Sequence, residues 1–135
     1  MGKNFFIVRE KLPSLNTVLS NHHNWAHGNR TKRELENRIV AHIIASHTEP
    51  VTKPCVILID FYEKTMRRDV DNIQSATKFL LDAAQTAGIL PNDNRKWVQQ
   101  IYHRIFEAED DYVIVYFFTE GEVQLFVNAN TRRKT

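Results

Sequence analysis

Residues 54–62 read Pro-Cys-Val-Ile-Leu-Ile-Asp-Phe-Tyr, and from Cys55 to Ile59 no polar side chain interrupts the run. Successive side chains of a strand point to opposite faces, so a strand wetted on one face alternates polar and apolar residues. An unbroken apolar run needs cover on both faces, which predicts a strand at the centre of a sheet. The run leads straight into Arg67-Arg68-Asp69-Val70-Asp71-Asn72. These acids are therefore expected at or beyond a strand end, where α/β sites tend to lie.

The rest of the chain reads as elements around that strand. Residues 4–11 are expected as a strand centred on Phe5-Phe6-Ile7-Val8, ended by Pro13, which cannot donate to a ladder. A long polar loop with His22, His23, Trp25, His27, Gly28 and Arg30 is expected next. Loops this long in a compact domain tend to be functional or disordered. Residues 31–47 carry Leu35, Ile39 and Ile43 at helical spacing, and Thr31 with Glu34 has the form of a capping box. Residues 72–87 form a second predicted helix, with Ile73, Ala76, Leu80, Ala84 and Ala87 on one stripe, Asp71 as its N-cap and Gly88 as its stop. Residues 97–106 and 112–119 are expected as strands of a hairpin, with a further short strand over 122–127. The order β-α-β-α-β-β implies an α/β (α+β) fold: a single mixed sheet with two main helices packed on it. With 135 residues, one domain over 1–135 is expected.

Composition narrows the classes. Hydrophobic content of 42% and charged content of 25% are ordinary for a globular chain. No apolar run approaches the roughly 20 residues of a membrane span, and the amino terminus shows no signal-peptide core. The single cysteine, Cys55, excludes an intrachain disulfide, suits a reducing cytosol, and is expected as a buried core thiol. A net charge of +2 does not by itself imply a polyanionic partner. Its distribution is more informative: Lys3, Arg9, Lys11, Arg30, Lys32 and Arg33 face Glu10 alone in the first stretch, and Arg132-Arg133-Lys134 close the chain. Such patches can hold a polyanion, or stand as solvated surface.

Asp69 and Asp71 straddle one residue, and in an extended or turn conformation they point the same way. Two adjacent carboxylates repel, and a bound divalent cation relieves that cost. Mg²⁺ takes oxygen ligands, commonly one or two carboxylates plus waters and substrate phosphates. The flanking Arg67 and Arg68 suit an anionic substrate. Such a pair also occurs in helix caps and turns. His22, His23 and His27 have the spacing of part of a zinc site but lack a fourth ligand, so polar contacts are the preferred reading. Trp25 could stack on bases or anchor its loop. Asp60 and Glu63 are expected at solvent-facing strand-end positions.

Arg68-Asp69-Val70-Asp71-Asn72-Ile73-Gln74, followed by Leu81-Asp82-Ala83, Ala87-Gly88-Ile89 and Asn92-Asp93, resembles the RusA-like Holliday junction resolvases. Leu12-Pro13-Ser14-Leu15-Asn16 and the basic stretch after Gly28 resemble the family's amino-terminal Pro-Ser-x-Asn and basic loop. The resemblance runs over roughly residues 5 to 118. It implies a homodimer of the bacterial and prophage type that cuts four-way DNA junctions by paired nicks with Mg²⁺, or Mn²⁺ as substitute. It implies Asp69, Asp71 and Asp93 as metal ligands and catalytic acids. Asn16, Arg30, Lys32, Arg33, Arg67, Arg68, Arg95 and Lys96 become candidates for DNA contact.

Two departures from the family pattern matter. Ser75 stands where the family has a lysine; Lys78, on nearly the same face of a continuous helix as Asp71, could replace it. His22-His23 stand where relatives carry cations. These departures keep a non-catalytic junction-binding protein as the alternative. An enzyme of nucleotide-sugars or phosphate esters ranks last, because the chain is short and has no Gly-rich phosphate loop. A helix over 72–87 would be about 24 Å long, so Asp93 joins Asp71 only if that helix breaks or a second subunit supplies it.

Overall fold

The computed structural model describes the backbone over residues 4–19 and 25–133, and the side chains there except those of Asn16, Leu19, 25–30 and 130–133. His22 and His23, and the side chains of Asn16, Trp25, His27 and Arg30, fall outside the described residues. The elements are β1 (Phe5–Val8), α1 (Leu15–Leu19), α2 (Trp25–Ala45), β2 (Cys55–Glu63), α3 (Val70–Gln74), α4 (Thr77–Thr86), β3 (Val98–Glu107), β4 (Tyr112–Phe118) and α5 (Glu120–Arg133).

The four strands form one mixed sheet in the order β1-β4-β2-β3. β2 runs parallel to β3 and antiparallel to β4, and β1 runs antiparallel to β4. The unbroken apolar run is thus an internal strand, as its sequence requires. Its odd positions, Cys55, Ile57, Ile59 and Phe61, join the main core with Leu35, Ile39 and Ile43 of α2 and Phe79, Leu80 and Ala84 of α4. Its even positions, Val56 and Leu58, pack on the other face with Phe118 and with Val123 of α5. Cys55 is buried, which pushes its thiol pKa up to about 11.

Several expectations are corrected. β1 is shorter than residues 4–11. The polar loop contains α1, and α2 starts at Trp25 rather than at residue 31, so Thr31 and Glu34 lie inside the helix and not at its start. Once the Leu35/Ile39/Ile43 stripe docks, extending a helix backward costs little per residue, even through Gly28. The predicted 72–87 helix is two helices. Ser75 breaks it: its hydroxyl donates to the Asn72 carbonyl at 2.7 Å and accepts the Leu15 N–H at 2.9 Å. Serine competes with helical backbone bonding in this way. Asp69, not Asp71, is the N-cap of α3. Gly88 does end α4, at φ 77°, with its N–H on the Gln85 carbonyl and the Ile89 N–H on the Ala84 carbonyl.

β3 and β4 are not a hairpin, because β2 lies between them. The connection crosses the end of β2, pinned by the Ala108 N–H on the Glu63 carbonyl and the Lys64 N–H on Asp111 Oδ1. Two strand spacings, about 10 Å, lie within reach of a four-residue link. Residues 122–127 belong to α5, not to a strand. Thr119 and Glu122 make the capping box that starts it: the Thr119 N–H donates to Glu122 Oε1 at 2.8 Å, and the Glu122 N–H donates to Thr119 Oγ1 at 3.3 Å. With α5 added, three longer helices rather than two pack on the sheet. No helix among the described residues is long and apolar enough to cross a membrane.

Candidate functional site

The chain leaves β2 at Glu63 and reaches α3 through a bend in which Lys64, Thr65, Met66 and Arg67 are exposed. Glu63 is not at a solvent position; it is 5% exposed. Arg68 turns inward and donates Nε and Nη2 to the two Glu63 carboxylate oxygens, each at 2.9 Å, and Nη1 to the Leu12 carbonyl at 2.8 Å. This bidentate clamp fixes the bend on the strand end and on the segment before α1. Asp60 is buried likewise and accepts Arg104 Nε and Nη2 at 2.7 Å each. A carboxylate buried at a strand position needs such a partner, which is why the solvent-facing expectation fails at both residues.

Just beyond the clamp, Asp69 has extended backbone geometry (φ −69°, ψ 155°), and its carboxylate makes no capping hydrogen bond. Asp71 lies in the first turn of α3. Both are exposed. Among the described residues, no hydrogen bond or ion pair engages either carboxylate. Val70 between them is 58% exposed, so the apolar side chain of the motif anchors nothing.

Beside the acids, Lys11, Leu12, Pro13, Ser14, Thr17, Arg38, Arg68 and Asn72 line an open cleft of ≈ 530 Å³. Three elements meet here for local reasons. Ser14 caps α1 by accepting the Thr17 N–H at 3.1 Å. Ser75 ties the start of α1 to α3. Glu10 holds α2 through Arg38 Nε and His42 Nε2, both at 3.1 Å. Arg38 stays 54% exposed after this contact.

The other candidate cations are dispersed. Lys32 and Arg33 border a smaller depression with Glu36, Phe79 and Asp82, between α2 and α4. Lys78 pairs with Asp82 at 3.5 Å, one turn further along α4. The continuous helix that would align it with Asp71 is interrupted at Ser75. His103 is held by Thr77 Oγ1 at 2.8 Å, and burial lowers its pKa, so it is neutral at pH 7.

Asp93, Arg95 and Lys96 lie in an exposed turn at the opposite end of the sheet. The Val51 N–H bonds to the Ile89 carbonyl, and the Cys55 N–H to the Trp97 carbonyl, which places this turn at the start of β2. Asp69 and Asp71 follow its end. β2 has nine residues, so the two groups are roughly 26 Å apart along the strand direction. The break at Ser75 does not bring Asp93 back, because α3 and α4 together still carry the chain from the end of β2 to its start, where the Val51 N–H bonds the Ile89 carbonyl. Among the described residues, no three His, Cys, Asp or Glu side chains gather at a metal-holding geometry.

Comparison of the chain with protein-family models and with curated proteins finds no match. The functional reading therefore rests on the residues themselves. Lys11 and Arg38 are the cleft cations that the linear motif does not reveal. Their signal is weak in sequence, since each sits among other charges and only the packing of α2 against the Leu12–Ser14 corner brings them beside Asn72.

Proposed function

We propose that this chain is a metal-dependent endodeoxyribonuclease that cuts four-way DNA junctions as a homodimer in a reducing, cytoplasmic setting. The observation that carries the reading is the pair of exposed, unengaged carboxylates, Asp69 and Asp71, at the end of the central strand beside a cleft bearing Lys11 and Arg38. The resemblance of the Arg68–Asn72 motif to the RusA-like resolvases supports it. The donor set fits Mg²⁺, with Mn²⁺ as substitute: hard carboxylate oxygens, no competing protein partner, and access for waters and phosphate. When bound, such an ion polarises a phosphoryl oxygen and lowers the pKa of a water. Asp69 and Asp71 hold it, Arg68 fixes their backbone through Glu63, and Lys11 and Arg38 meet flanking phosphates. Asp93, a sheet length away in its own chain, serves the acids of a second copy.

A labelled four-way junction incubated with the protein and Mg²⁺ tests this. Paired nicks that disappear in Asp71→Asn are expected; absence of nicking in both Mg²⁺ and Mn²⁺ would sink the proposal. A second reading, a junction-binding protein without nuclease activity, is favoured by one observation: Ser75 is consumed in structural bonds and Lys78 faces Asp82, so neither presents a cation to the acids. Junction binding without nicking would establish it.

A further inference from the structure

Among the described residues, three arginines are held by carboxylates, and one grip differs from the other two. Arg68 commits Nε and Nη2 to Glu63 and Nη1 to the Leu12 carbonyl, and Arg104 commits Nε and Nη2 to Asp60. Both are bidentate pairs that use up the donors facing the acid. Arg38 is held at Nε alone, by Glu10 Oε1 at 3.1 Å. Among the described residues its two Nη groups make no hydrogen bond or ion pair. The side chain is exposed and lines the cleft with Lys11 and Asn72.

Glu10 does not close on Arg38 with both oxygens because the second is taken. His42 Nε2 lies 3.1 Å from Glu10 Oε2, and a carboxylate only accepts, so the imidazole is the donor. Arg38 and His42 stand four residues apart on α2, on one face of the helix, so both reach the same acid.

We propose that Glu10 and His42 are positioning residues that aim Arg38. His42 divides the Glu10 carboxylate, so that Glu10 steadies the guanidinium at Nε and leaves the Nη1/Nη2 edge for a phosphate of the bound strand. This rests on the reading of Arg38 as a phosphate contact. A guanidinium edge matches two phosphate oxygens through parallel N–H bonds. An arginine already held at Nε has less rotamer freedom to lose when it binds. The charge of Glu10 by itself opposes phosphate, so its place here is explained by orientation and not by attraction.

Binding of a labelled four-way junction in EDTA, where nothing is cut, tests this. Arg38→Ala should weaken binding about tenfold, the scale for losing a charge-assisted bond. It should also lower the slope of log K against log salt by about 0.9. His42→Ala lets Glu10 take Nε and Nη2 together, as Glu63 takes Arg68. It should weaken binding at least about threefold, part of the Arg38→Ala loss, with circular dichroism unchanged. His42→Gln keeps a donor for Oε2 and should bind like wild type. Added to Arg38→Ala, His42→Ala should change nothing further. Wild-type binding by His42→Ala overturns the proposal. So does a loss that His42→Gln shares, or one that persists in full on top of Arg38→Ala, because His42 would then act by itself.

Pyrophosphate gives a readout independent of DNA. The Arg38 Nε–H signal in ¹⁵N spectra should shift saturably with it, and His42→Ala should need at least about threefold more, the same partial loss. An Arg38 signal indifferent to pyrophosphate overturns the aiming pair. A pyrophosphate response of this pattern in a chain that neither binds nor nicks junctions overturns the nuclease reading instead and leaves the pair standing.

Discussion

Arg68 grips Glu63 at two points, Nε on Oε1 and Nη2 on Oε2, both at 2.9 Å, where β2 gives way to the acid-bearing turn. The neighbouring arginines of the motif thus have separate tasks. Arg67 is exposed, whereas Arg68 is a structural latch that also reaches the Leu12 carbonyl. Removing Arg68 strands a carboxylate whose side chain is 7% exposed. Arg68→Met should cost about 3 kcal/mol in urea unfolding, the scale for breaking a buried pair. Arg67→Ala should stay within about 0.5 kcal/mol of wild type. The double variant Glu63→Gln with Arg68→Met should recover part of the loss. Equal midpoints for Arg68→Met and wild type would show that the latch holds nothing.

Asp69 and Asp71 contribute no side-chain hydrogen bond to the fold. Asp69→Asn and Asp71→Asn should therefore leave unfolding free energy within about 1 kcal/mol, the scale of a charge at a helix start. Junction nicking should fall by at least about 100-fold in each, the scale for losing a group that stabilises transition-state charge. The informative contrast is Lys78→Ala, which breaks only an exposed pair with Asp82. Unchanged nicking in that variant would remove Lys78 from the candidate catalytic residues.

His103 gives the fold a pH dependence. Burial lowers its folded pKa below the ordinary 6.5, while the unfolded chain titrates near 6.5. Between the two values the unfolded chain binds more protons, so stability rises with pH across that window. The contribution is present in full above pH 6.5 and is lost as pH falls through the folded pKa. Denaturant titrations from neutral pH downward should show this slope, and His103→Gln, which cannot charge, should flatten it. A slope unchanged by the substitution would assign it to other groups.

The sequence was most legible where a physical demand was local and unopposed. The Cys55–Ile59 run required an internal strand and became one, and Gly88 took the positive φ that ends α4. It was least legible where two segments compete. Ser75 sits within a good helical stripe, and only the distant Leu15 N–H makes its break visible. The short link between β3 and β4 invites a hairpin, yet β2 needs both neighbours and takes the place between them. At the site, the motif announced the acids but not their surroundings. Arg68 pairs inward, Lys11 and Arg38 arrive by packing, and Asp93 lies at the far end because α3 and α4 together carry the chain back to the start of β2.

Thr119 and Glu122 show how one capping motif decides between strand and helix. Residues 122–127 have a strand-like composition in part, but Val123, Phe126 and Val127 fall at helical spacing once the capping box starts the helix. α5 then covers the even face of β2, where Arg104 lies between Asp60 and the rings of Phe106 and Phe126, at 5.2 and 5.3 Å from their centroids. Thr119→Ala should cost about 1 kcal/mol, the usual loss for an N-cap. Because each box residue's side chain accepts the other's N–H, the two act as one unit, and Thr119→Ala combined with Glu122→Ala should cost less than the two single losses added. Amide exchange should rise first in α5 and in the Asp60/Arg104 neighbourhood beneath it, while α2 and α4 on the opposite face keep their protection. Uniform acceleration across the chain would mean instead that α5 and the main core open as one unit.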